Sequence, residues 1–70
     1  MQCPRVHVSP DGPLWCVMVE GEQIARSRHA TKDSATHTAE TLASQLGADL
    51  IIHDLDGSVS ERRAYGCGLL

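Results

Sequence analysis

Seventy residues make one domain and leave no room for a second. Nine acidic against six basic residues give a formal charge of −3 at pH 7, which disfavours generic nucleic-acid binding through a basic surface. No stretch approaches the roughly 18 apolar residues of a membrane helix.

The core has little to build with. There is no Phe, one Trp (Trp15) and one Tyr (Tyr65), so the side chains that usually dominate burial are nearly missing. Chains of this size bury only about 60% of their unfolded surface, and small scaffolds complete themselves with disulfides, a metal or another copy. Disulfides are not the expectation. The cysteines are three; Cys16 sits in an apolar run as a buried free thiol, and Cys3 and Cys67 meet only if the chain ends are adjacent. Met1-Gln2-Cys3-Pro4 lacks the basic start and apolar run of a secretion signal, so a reducing cytoplasm is the expected compartment.

In chain order, Arg5-Val6-His7-Val8 alternates polar and apolar with the period of a half-buried strand. Pro10-Asp11-Gly12-Pro13 marks a turn. Leu14 to Glu20 holds a continuous apolar run, Leu-Trp-Cys-Val-Met-Val, of strand length, Gly21-Glu22 is a reversal, and Gln23 to Ser27 a weaker third strand, so the three form a meander. Thr31 is a helix N-cap, with Asp33 in the first turn where the helix dipole favours negative charge. Ala35, Ala39, Leu42 and Leu46 form one helical stripe, and Gly47 ends the helix in a left-handed conformation. Asp49 to His53 is a further strand. Asp56-Gly57 predicts a hairpin, with Ser58 to Arg62 returning.

The expected fold is α+β: a small antiparallel sheet made of a β-meander, one amphipathic helix and a β-hairpin, in the order β-β-(β)-α-β-β, with the helix on one face. Residues 1–66 form the domain and residues 67–70 a flexible C-terminal tail.

The second strand is apolar on both sides, with Leu14, Cys16 and Met18 facing one way and Trp15, Val17 and Val19 the other. Ile51 and Ile52 repeat the pattern. One helix covers one face only, so another copy is expected on the second. The candidate interface residues are Trp15, Val17, Val19, Ile51, His7 and His53.

These residues, in this order, resemble a small bacterial domain, domain of unknown function 2188. The likeness lies in His7-Val8-Ser9-Pro10, Gly12, Trp15-Cys16-Val17 and Glu20-Gly21. It continues through Thr31 and Ala35 into the helix, then Ile52-His53, Asp56-Gly57 and Tyr65-Gly66, and covers nearly the whole chain. The order and spacing are more specific than any one motif. The resemblance implies a short stand-alone bacterial or phage protein with no assigned activity. Two departures stand out: Ser34 replaces an acidic residue that would complete a capping box, and Pro13-Leu14 is less polar than usual.

Chemistry is hard to assemble. If their strands are adjacent, His7 and His53 approach each other on the face shared with Trp15 or at its rim. A metal needs three or four ligands, and no ligand spacing supplies them. A buried Cys16 thiol is inert, no serine lies in a nucleophile turn, and the Asp54-Leu55-Asp56-Gly57 segment fails as a calcium loop because Ile52 and Arg63 occupy carboxylate positions. No cofactor and no enzymatic activity are expected. Arg26 and Arg28, with Arg62 and Arg63, are candidate nucleic-acid contacts if they gather on one edge; paired with carboxylates, they are solvated strand ends. The sequence therefore predicts an interaction module, dimeric and binding another protein. The alternatives are a nucleic-acid binder using the paired arginines on a dimer, and a phage-type inhibitor of a host protein.

Overall fold

A computed structural model describes residues 4–65. It contains six elements: β1 (Arg5–Asp11), β2 (Leu14–Val19), β3 (Ser27–His29), α1 (Lys32–Leu46), β4 (Asp49–His53) and β5 (Val59–Ala64). The strands form one five-stranded sheet in the order β3-β2-β1-β4-β5, with α1 packed on one face. The expected α+β arrangement is the one observed. The boundary between a domain ending at 66 and a tail over 67–70 lies outside the described residues.

The β1–β2 hairpin closes with a two-residue loop, since Asp11 pairs with Leu14. Gly12 has φ +61° and Pro13 is held near φ −65°. Of the two turns whose twist suits a hairpin, only type II′ accepts that order. The register that follows sets Val8 opposite Val17 and Val6 opposite Val19.

The third strand begins later than expected, at Ser27 rather than Gln23. The Arg26 amide already donates to the Val17 carbonyl at 2.7 Å, and the Arg26 guanidinium closes on Glu22 through two 2.8 Å hydrogen bonds. The intervening residues bulge outward, leaving Ile24 79% exposed.

Helix α1 has the expected ends. The Thr31 hydroxyl accepts the Ser34 amide at 3.1 Å, and Gly47 (φ +62°) donates its amide back to the Ala43 and Ser44 carbonyls. Its buried stripe is Ala35, Ala39 and Ala43; Leu42 is half-buried and Leu46 exposed. The inner row is therefore all alanine, which lets the helix lie close on the sheet. The bulk comes from the strands, where Val6, Val8, Val17, Leu50 and Ile52 complete the core with Ala48.

One correction concerns strand direction. The sheet is mixed, because β1 and β4 are parallel, with Val6 opposite Leu50 and Val8 opposite Ile52. β3 pairs antiparallel with β2 and so runs with β1. The helix returns the chain, and β4 sets out in the same direction as β3. Such a connection needs the length that a helix supplies. α1 thus crosses over the two strands it skips, β2 and β1.

The β4–β5 connection is longer than an Asp-Gly hairpin. Asp56 turns its carboxylate to the Ser58 amide (3.0 Å) and hydroxyl (2.7 Å), Gly57 takes φ +88°, and a register irregularity at Ile52/His53 follows.

An imidazole pair on the open sheet face

Strand parity sorts the candidate residues. Val6 and Val8 point into the core, so Val19 and Val17, which stand opposite them, do too. Val17 is fully buried beneath the helix, while Trp15 and Val19 pack against the same core. The Lys32 ammonium lies 5.5 Å from the Trp15 ring centre. These three residues thus serve the covered face, which corrects their assignment to an uncovered one. Ile51, His7 and His53 lie on the other, open face, together with Met18, Cys16 and Arg62. In its middle row Met18, His7, Ile51 and Arg62 stand in register across four strands, with Ile51 buried among its neighbours.

The two histidines do meet, on the face opposite Trp15. β1 and β4 are neighbours, and His53 lies two residues beyond the partner of His7, so their side chains are diagonal neighbours on one face. His7 Nδ1 is 3.1 Å from His53 Nε2, and the ring centres are 5.3 Å apart with planes inclined by 20°. The difference between those distances is about one ring width. The two nitrogens therefore lie nearly on the line between ring centres, and the rings meet edge to edge rather than face to face.

That geometry fits a proton and not a metal. An N–H···N hydrogen bond spans the observed distance. A zinc ion could not lie along both ring lone pairs without turning or parting the rings, and two imidazoles fall short of the three or four ligands it takes. Among the described residues, no three His, Cys, Asp or Glu side chains cluster to hold a metal ion.

The outer nitrogens are also engaged. His53 Nδ1 is 3.4 Å from the Gly57 carbonyl oxygen, which only accepts; a proton on Nδ1 satisfies that contact and leaves Nε2 as the acceptor for His7. His7 Nε2 is 3.8 Å from a Glu20 carboxylate oxygen, and Arg5 approaches the other oxygen at 3.6 Å. Glu20 is in position because its amide continues the ladder, donating to the Arg5 carbonyl at 2.8 Å. Burial pushes the His7 pKa below its ordinary 6.5, and the neighbouring His53 adds to that; Glu20 opposes and Arg5 reinforces it.

The arginines do not gather. Arg26 is paired with Glu22 and Arg28 with Asp11. Arg63 lies between Glu61 and, at 2.6 Å, Glu40 of the helix. Arg62 alone has no carboxylate partner among the described residues. Arg28 on β3 and Arg62 on β5 stand at opposite edges, four strand spacings or about 19 Å apart. Cys16 is a buried free thiol, 3.4 Å from the Ser9 hydroxyl. His29 bridges the Ser27 and Ser34 hydroxyls, tying β3 to the helix start.

A sequence model of one protein family, described as "Uncharacterized protein conserved in bacteria (DUF2188)", matches residues 6–65. The chain belongs to that family. The match begins in β1 and ends after β5, so every strand and the helix of the family domain are those described above. No curated protein and no solved structure matches the chain. No helix among the described residues is long and apolar enough to cross a membrane. Sequence reading missed Glu20 and Met18 as members of the imidazole face. The signal for both was the two-residue β1–β2 loop, whose register sets Met18 opposite His7 and brings Glu20 level with Arg5.

Proposed function

We propose that this chain is a non-enzymatic interaction module that docks a second copy of itself through the open face of its sheet. The observation that carries this reading is one positive and one negative side chain on that face, neither with an ion-pair partner among the described residues. They are Arg62 on β5 and Asp49 on β4, which share it with Met18 and Ile51. In a two-fold arrangement the same patch meets itself, so Arg62 of each copy is offered to Asp49 of the other, with Met18 and His7 beside the contact.

The sheet edges support the same choice. β3 is only three residues long, and β5 carries Glu61, Arg62 and Arg63; short and charged edge strands both discourage edge-to-edge pairing. A shallow depression of about 440 Å³ beside Met18, Cys16 and Ile24 extends the open face towards the β2–β3 connection. Binding of a different protein at this surface would compete with the second copy. The separation and pairing of the arginines lend a nucleic-acid role no support.

The test is a charge swap followed by sedimentation. Arg62→Asp and Asp49→Arg should each weaken the dimer at least tenfold, because each sets like charges against one another across the contact. The double variant should restore most of the loss. Equal masses for all four proteins would refute the pairing.

A further inference from the structure

The imidazole pair has room for one added proton and only one. When both rings are neutral, His53 keeps its proton on Nδ1 toward the Gly57 carbonyl, and His7 donates from Nδ1 to His53 Nε2. His7 Nε2 is then a bare lone pair facing the Glu20 carboxylate. A proton added there turns that contact into an attractive one and leaves the N–H···N bond intact. A second proton has to go onto His53 Nε2, where it would meet the His7 Nδ1 proton head-on. The first proton is accommodated; the second breaks the pair.

We propose that His7 and His53 form a one-proton switch at the docking face, a role that rests on the self-association proposed above. With the pair neutral, the imidazoles add no charge to the row they share with Arg62. With one proton bound, each copy brings a positive charge into the contact, and the dimer opens. Burial holds His7 below the ordinary histidine range, so the switch works on the mildly acidic side of neutrality. The charged groups around the pair are Arg5 on β1, Glu20 after β2, Asp49 on β4 and Arg62 on β5. In the β4–β5 loop, Asp54 is held by Lys32 and Asp56 by Ser58. Glu20 favours the proton at His7 Nε2, and Arg5 on its far side moderates that pull.

Two measurements on the full chain test this. Ring-nitrogen NMR shifts followed from pH 8 to 4.5 should show both histidines responding together to one shared proton. Independent single-proton titrations of the two rings would overturn the switch. Sedimentation over the same range should show the dimer weakened about a hundredfold one pH unit below the pair's midpoint, since two pairs must each release a proton to dock. The double variant His7→Gln with His53→Gln should dimerise with the same strength throughout. A wild-type dimer indifferent to pH, or a double variant that keeps the pH response, overturns the switch and spares the docking reading. A chain monomeric at every pH overturns the docking reading and the switch with it.

Discussion

His7 shows how a single side chain takes its properties from its position. It alternates with Val6 and Val8 along β1, so the strand that buries the two valines must turn the imidazole to the open face. There it loses water to its neighbours, and that burial, with His53 beside it, lowers its affinity for a proton. The stability consequence has a definite sign. The unfolded chain binds a proton at His7 more readily than the folded one, so folding stability is fully present above pH 6.5 and falls as the pH drops towards the lower folded-state pKa. Urea midpoints measured at pH 7.5, 6.5 and 5.5 should decline in that order for the wild type, and His7→Gln should decline less. Trp15 behaves differently from what its place in the sequence suggested. Because it packs against the core under α1, Trp15→Glu should unfold or destabilise the protein by about 2 kcal/mol or more, visible as a lower thermal midpoint at any protein concentration. A stable variant with a changed oligomeric state would contradict that placement.

Among the elements, the helix was the most legible. Thr31 and Gly47 mark its ends in the sequence, and both caps are present. Thr31→Ala should cost about 1 kcal/mol, and Gly47→Ala a comparable amount, because the left-handed φ rather than lack of space makes the position glycine's own. Both are measurable by chemical denaturation. The inner stripe was only half legible. Hydropathy favours Leu42 and Leu46 over Ala43, yet a helix crossing two strands at close range has room for alanine alone. Ala39→Leu should therefore destabilise by about 1–3 kcal/mol through overpacking. The strands were legible as elements, but their directions were not. Periodicity is the same in a parallel and an antiparallel strand, so nothing local in Asp49 to His53 tells that it joins β1 in parallel. The faces were legible in principle. A two-residue loop at Gly12-Pro13 fixes Val8 opposite Val17, and that alone puts Trp15 with the core and Met18 with His7. The Arg62 and Asp49 juxtaposition was not legible, because it depends on the register of β4 with β5 and on the irregularity at Ile52/His53.

At the scale of the whole molecule, one helix and five strands make two layers among the described residues, with the helix on one face of the sheet. The large side chains are spent on the covered side, where Trp15 and Tyr65, the chain's Trp and its Tyr, both pack against the core. The open side is held by smaller means: Met18 and Ile51, a hydrogen-bonded imidazole pair, and charged groups at its margins. The proposed docking uses this surface against itself under two-fold symmetry, and the short and charged edges discourage pairing of strands edge to edge. The most direct measurement is sedimentation equilibrium of the unmodified chain at micromolar concentration and pH 7.5. The proposed dimer has a mass near twice the 7.6 kDa of one chain. A single species at 7.6 kDa would contradict it.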